Sequence, residues 1–198
     1  MKKIAFFDFD GTITTKDTMF ELIRHQKGNA RFYLGFLLNI PLFAAMKLKL
    51  LSKQAAKEKL LGYFFNGTTL SDFQAGCDNF ATAKLPALIR PGALTEIEKL
   101  WAQGFEIVIV SASAENWIKK WAENNDLQLI ATNLECIDGK LTGKIAGKNC
   151  NGQEKEDRIK AGYDLSIYTE IYCYGDSAGD SKMLALGTHA FYKPFRRV

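Results

Sequence analysis

Metal-binding thiols and histidines are scarce in this chain. Its four cysteines, Cys77, Cys136, Cys150 and Cys173, stand far apart, and neither His25 nor His189 has a ligand-type neighbour, so no Cys/His zinc site can be assembled. The same spacing argues against a disulfide framework and suits reduced thiols in a cytoplasmic protein. A large charge excess is also missing. A net charge of +4 and a pI near 8.8 favour anionic ligands without demanding nucleic acid. The one basic stretch interleaved with aromatics is the short tail Lys193, Phe195, Arg196, Arg197, which reads as solvated, and no nucleic-acid partner is expected. No secretory leader is expected either, because the apolar run after Met1-Lys2-Lys3 stops at Asp8.

A membrane span wants about 20 apolar residues. The charge-free run Phe32 to Met46 has only fifteen, broken by Asn39 and Pro41. It predicts a pair of buried helices, with an interfacial or lipid-facing surface as the competing reading. Lys47, Lys49 and Lys53 downstream would suit an anionic membrane face or water equally, so residues 32–51 are a candidate for peripheral lipid contact. What remains is ordinary globular material. With 47% hydrophobic and 24% charged residues over 198 positions, the chain can bury a core as one large domain or as a core plus an insertion.

The most informative segment is Ile4-Ala5-Phe6-Phe7-Asp8-Phe9-Asp10-Gly11-Thr12-Ile13-Thr14. Its apolar start predicts a strand buried on both faces, as in a parallel sheet covered by helices. Its carboxyl end is where open α/β sheets bind ligands. Asp8 and Asp10 share one side-chain parity, and Gly11 can take the backbone angles needed to end the strand. Two carboxylates in one crevice raise each other's pKa unless a cation lies between them, so a divalent metal is the natural partner. Taken alone, the segment could also be an acidic turn after an edge strand.

From Pro91 onward helices and strands alternate. A helix over 92–103 is followed by a strand over 105–110 that ends in Ser111-Ala112-Ser113. A second helix runs through Trp117, Ile118 and Trp121, and a strand near 127–134 leads to a hairpin turning at Asp138-Gly139. A charged helix over 153–162, a strand over 170–174, a short helix over 182–186 and a last strand over 190–192 complete the pattern. Such alternation implies a parallel sheet with right-handed crossovers. Residues 15–88 depart from it, with no evident strand and with glycines at 28, 35, 62, 67 and 76 placed to separate helices. The expected organisation is an α/β core of residues 1–14 and 89–198, doubly wound and Rossmann-like, with an α-helical cap inserted at 15–88.

Four separated features fall where such a sheet would gather them. They are Asp8 and Asp10 after the first strand, Ser111 after the next, Lys155 opening the charged helix, and Gly175-Asp176-Ser177-Ala178-Gly179-Asp180 after a later strand. Taken singly, Ser111 could be a helix N-cap, Lys155 part of a solvated face with Lys148 as a rival, and 176–180 a capped loop. In this order they resemble the haloacid dehalogenase-like superfamily of phosphohydrolases, over 1–14 and 90–198. That resemblance implies a Mg²⁺-dependent phosphomonoesterase acting on a phosphate monoester. Asp8 would be the nucleophile that forms an aspartyl-phosphate, and Asp10 the general acid and base. Asp8, Asp176 and the Asp10 main-chain carbonyl would hold Mg²⁺. Ser111, Lys155, Gly11 and Thr12 would surround the phosphoryl oxygens, and Asp180 would either orient Lys155 or face the metal.

An insertion between the first two motifs resembles the cap of the branch that contains phosphoserine phosphatase. The cap acid of that branch aligns with Asp17, but no arginine occurs from Phe32 to Ile89. Lys57 or Lys59 would stand in for it without a planar bidentate grip. The apolar segment is more similar to caps of phosphatidylglycerophosphatase-type members, which implies a small or lipid-linked ester with phosphoserine as the alternative. A phospho-Asp receiver or a membrane-interaction module are the rival classes. Asp10, two residues past the acceptor, argues against a receiver. The expected location is cytoplasmic with room for membrane association, and oligomeric state is not legible.

Overall fold

The computed structural model describes residues 2–48 and 50–196, without the side chains at 43 and 47. Lys49, Arg197 and the Lys47 side chain, named above for their charge, therefore lie outside the described residues. Strand β1 (Lys2–Phe7) is the middle of a five-stranded parallel sheet with β2 (Phe105–Ala114), β3 (Gln128–Thr132), β6 (Tyr168–Gly175) and β7 (His189–Tyr192), in the order β3-β2-β1-β6-β7. The central strands are apolar at successive positions because both faces are covered. Ala5, Phe7, Ile107 and Ile109 join one buried cluster, while Ile4, Phe6, Val108 and Val110 join another with Ile159 and Met183.

Helices α6 (Pro91–Ala102), α7 (Glu115–Asn124), α8 (Gln153–Gly162) and the short α9 (Ser181–Leu184) cover the sheet. Strand β2 runs on to Ala114, past the expected end near Val110, so Ser111 and Ser113 lie within it. Strands β4 (Leu134–Ile137) and β5 (Lys140–Ile145) form the expected antiparallel hairpin.

The insertion holds α1 (Thr18–Lys27), α2 (Asn29–Leu38), α3 (Ile40–Lys47), α4 (Lys53–Phe65) and α5 (Leu70–Ala83). Its two ends meet at an antiparallel bridge between Thr14 and Ile89. Gly28 and Gly67 separate helices as expected, both at positive φ. Gly35, Gly62 and Gly76 do not; they lie inside α2, α4 and α5. A Cβ at Gly35 would fall 2.3 Å from the Phe64 ring, so close packing and not chain reversal demands glycine there. The hairpin leans on the insertion. Gly67 N–H donates to Leu141 O (2.8 Å), Leu70 N–H to Gly139 O (2.8 Å) and Leu141 N–H to Thr68 O (2.9 Å). A Cβ at Gly143 of β5 would sit 2.2 Å from the Gly62 Cα, so main chain meets main chain.

The expectation of two buried helices over 32–46 needs correction. Asn39 does divide the segment into α2 and α3, but among the described side chains only Phe32, Gly35 and Leu42 are buried, and the outer faces are open. Among the described residues no helix is long and apolar enough to cross a membrane.

Candidate active site

The site lies at the carboxyl edge of β1, β2 and β6, beneath the insertion. The Asp8 N–H donates to Tyr174 O (2.9 Å), which ties the end of β1 to β6, and a tight turn over Phe9–Ile13 follows. Gly11 takes φ +83°, and a Cβ there would lie 2.5 Å from Asp176 Oδ2, so the turn can close over that carboxylate only without a side chain.

Asp8 is 7% exposed and fully engaged: Oδ1 accepts from Lys155 Nζ (2.6 Å) and Oδ2 from the Thr12 hydroxyl (3.0 Å). Lys155 is 1% exposed and also donates to Asp180 Oδ1 (2.7 Å). The other Asp180 oxygen accepts from the Asp176 and Ser177 N–H groups (3.1 and 2.9 Å) and the Ser177 hydroxyl (2.9 Å). Asp180 is thus held on both sides and in turn fixes Lys155. Lys148, the rival lysine, is 77% exposed and lies 3.9 Å from Glu154.

Burial pushes the Asp8 carboxyl up to about 7, with Lys155 pulling it down and Asp180 pushing it further up. Burial would by itself lower Lys155, but Asp8 and Asp180 together outweigh it and raise its pKa. Burial also works against the charge on Asp180, yet Lys155 and the Ser177 bonds prevail and bring its carboxyl below the usual range.

Asp10 forms a second, separate network. Its Oδ1 accepts from the Thr18 N–H (2.6 Å) and its Oδ2 from the Ser113 hydroxyl (2.5 Å), while Trp117 Nε1 donates to the Thr18 hydroxyl (3.0 Å). Burial first, then the nearby Asp17, raises Asp10 to about 6, against hydrogen bonds from Ser113 and Thr18 that lower it. Asp17 caps α1, accepting from the Met19 and Phe20 N–H groups (3.0 and 3.3 Å), and burial raises its pKa. From α4, Lys57 reaches the Ala112 carbonyl (2.5 Å) and Asn149 Oδ1 (3.3 Å); burial lowers it to about 8 against the pull of Asp10 and Asp17.

These groups border one cavity of about 340 Å³. Asp8, Asp10, Asp176 and Lys155 line its sheet end, while Met19, Phe20, Met46 and Leu60 line the insertion side. Ser111 is not among its lining residues. It is fully buried, and its Oγ accepts from the Ser113 N–H (3.0 Å). Of the two serines near the end of β2, the one on the cavity wall is Ser113, which was not among the expected site residues. Thr12 likewise spends its hydroxyl on Asp8. Parity could have pointed to Ser113, two positions beyond Ser111 on the same strand face. No spacing rule singles out Asn149 or Asn151, which also line the cavity.

Asp8, Asp176 and Asp180 each present a carboxylate oxygen within 4.8 Å of the others. An all-oxygen, multiply anionic set of this kind fits a hard divalent cation such as Mg²⁺. Arg196 contributes a guanidinium at the same place, hydrogen-bonded to Asp176 Oδ2.

The sequence profile of the haloacid dehalogenase-like hydrolases matches residues 5–185. Protein CicA of Caulobacter vibrioides is 31% identical over 195 residues, spanning 98% of this chain and 86% of that protein. A phosphoserine phosphatase of Wolinella succinogenes is 26% identical over 184 residues, 91% of this chain and 82% of that one. In three dimensions the chain resembles a protein of unknown function from Bordetella pertussis, with a TM-score of 0.81 at 24% identity over 95% of this chain and 88% of the other. A phosphoserine phosphatase structure, described as a phospho-aspartyl intermediate analogue, aligns with a TM-score of 0.66 at 19% identity, over 94% of this chain and 83% of that one.

Proposed function

Since the chain belongs to the haloacid dehalogenase-like hydrolases, we propose that it is a Mg²⁺-dependent phosphomonoesterase working through an aspartyl-phosphate on Asp8. The observation that carries this reading is the convergence of the Asp8, Asp176 and Asp180 carboxylates within 4.8 Å, with the Lys155 ammonium bonded to two of them.

Asp8 and Asp176, with the Asp10 main-chain carbonyl, would hold the metal. Asp180 is left to brace Lys155 from behind. Mg²⁺ would supply positive charge against the phosphoryl oxygens, which otherwise repel an attacking carboxylate. Lys155 adds charge at the same point and works against the burial that favours the protonated form of Asp8. An Asp8 oxygen then forms a bond to phosphorus as the bond to the leaving oxygen breaks, and Asp10 gives its proton to that oxygen. In the second half Asp10 takes a proton from water, whose oxygen displaces Asp8 from phosphorus and releases inorganic phosphate. A carboxyl raised to about 6 suits both proton transfers near neutrality. The buried Ser111 and Thr12 support this scheme from beneath the site, and Ser113 orients Asp10.

The substrate is a phosphate monoester with an apolar or lipid-linked leaving group. The insertion side of the cavity is lined by Met19, Phe20, Met46 and Leu60, which offer serine little. Phosphoserine is the second reading, favoured by the buried Asp17 and Lys57 beside the cavity and by the names of several relatives. The test is steady-state turnover of small and lipid phosphate esters with Mg²⁺ or EDTA, together with acid-quench trapping of a phosphoenzyme. Turnover is expected only with Mg²⁺, and activity surviving in Asp8→Asn removes the nucleophile assignment.

A further inference from the structure

The insertion presents an apolar outer face that the chemistry of the site does not use. Helix α2 packs through Phe32, Gly35 and Phe36, and its opposite side carries Tyr33, Leu34, Leu37 and Leu38, each at least half exposed. The face continues through Ile40 to Leu48 and Leu50, which are 70% and 78% exposed. Single exposed leucines need no explanation, but this many in one contiguous segment mark a surface that something covers.

Charge narrows the choice of partner. From Leu22 to Lys57 the sequence contains no aspartate or glutamate and seven lysines and arginines. Arg31 at the start of α2 and Lys53 at the start of α4 are exposed, and among the described residues neither has a carboxylate partner. A second copy of the chain would set this positive face against itself, which like-charge repulsion opposes. An apolar stripe bordered by unpaired cations has the composition of a helix lying in the headgroup region of an anionic bilayer. Neither α2 nor α3 is long enough to do more than lie there. Location agrees, since Met46 of α3, Phe20 and Lys53 line the active-site cavity next to this face.

We propose that the outer face of α2 and α3 docks into the surface of an anionic bilayer and that the ester admitted to the cavity is a membrane-borne lipid phosphate. The docking stands on its own evidence, and the substrate class rests on the phosphatase reading above.

Flotation of the full chain with phosphatidylcholine vesicles, with and without phosphatidylglycerol, tests the docking. The native protein is expected to float with the anionic vesicles and to be released by high salt. The triple variant Leu34→Ser, Leu37→Ser, Leu38→Ser is expected to partition at least about tenfold more weakly. Hydrolysis of soluble p-nitrophenyl phosphate should be equal in both proteins, and hydrolysis of phosphatidic acid held in vesicles should fall in the variant alone. Failure of the native protein to float, or equal flotation of the variant, overturns the docking. Concentration-dependent dimerisation that the triple variant abolishes, without flotation, reassigns the face to self-association and overturns it as well. Absence of p-nitrophenyl phosphate turnover defeats the phosphatase reading and the lipid substrate with it, while flotation still decides the docking.

Discussion

Replacing Lys155 by Met isolates the buried charge that holds the site together. The ammonium donates to Asp8 at 2.6 Å and to Asp180 at 2.7 Å, and all three side chains are almost wholly buried. Removing one partner of a buried ion pair leaves an uncompensated charge and typically costs about 3–5 kcal/mol. Here two carboxylates lose their partner, so near pH 8 and without divalent metal the loss should reach the upper end of that range. The dependence on pH is diagnostic. In the native chain Asp180 titrates below the usual 3.8, so the stability it contributes is present above 3.8 and fades only as pH falls below it. Without the ammonium the Ser177 bonds are left to oppose burial, so the Asp180 carboxyl rises from its native value and contributes less stability as pH rises and it ionises. Asp8, already raised to about 7, moves higher still. The deficit of Lys155→Met should therefore be small at pH 5 and grow steadily to pH 8. Urea unfolding in EDTA, followed by fluorescence of the buried Trp117 and Trp121, measures it across that window. The double variant Lys155→Met, Asp180→Asn should regain part of the loss. A deficit that is flat with pH, or largest at pH 5, would refute the claim that Lys155 neutralises these acids.

Three other outcomes follow from the geometry. Asp10→Asn should slow hydrolysis of alkyl phosphates by about 10²–10⁴, and that of p-nitrophenyl phosphate by much less, because a good leaving group needs little protonation. With Asp10 raised to about 6, its acid form declines as pH rises, so kcat/KM for alkyl esters should fall above that value in the native enzyme. Ser113→Ala removes a hydrogen bond that lowers Asp10, and it should move this alkaline limb to higher pH without affecting Mg²⁺ binding. Gly11→Ala combines a φ of +83° with a Cβ only 2.5 Å from Asp176 Oδ2. Strain of about 1–3 kcal/mol should appear as Mg²⁺ affinity weakened by about tenfold in calorimetry, with the fold preserved by circular dichroism.

Much of this architecture was legible from residue order. The continuous apolar run of β1 and the later helix–strand alternation are local signals, and they pointed correctly to a parallel sheet buried on both faces. The acids at positions 8, 10, 176 and 180 follow strands, so topology alone was enough to gather them at one edge. Other features depend on contacts between distant segments. Lys155 and Lys148 look alike in sequence, and only the fold buries one and leaves the other in water. Strand β2 runs farther than its apolar stretch, which exchanges the expected hydroxyl of Ser111 for that of Ser113 at the cavity wall. Gly35 and Gly76 read as breaks because a sequence does not reveal that a helix is crowded from outside, and Gly62 because it does not reveal the Gly143 main chain lying against that helix. The apolar run 32–46 reads as core for a related reason: hydrophobicity shows what avoids water, not whether protein or another phase receives it.

The backbone seam between Gly62 and Gly143, with the amides of Gly67, Leu70 and Leu141 shared across it, makes the hairpin a mechanical extension of the helical insertion. These three protons can reach deuterium only when the insertion parts from the hairpin, whereas swinging about the Thr14–Ile89 neck with the hairpin in tow leaves them protected. Their exchange rates would therefore tell two motions of the insertion apart: slow exchange with substrate present fits one body rocking, and fast exchange fits separation of helices from hairpin.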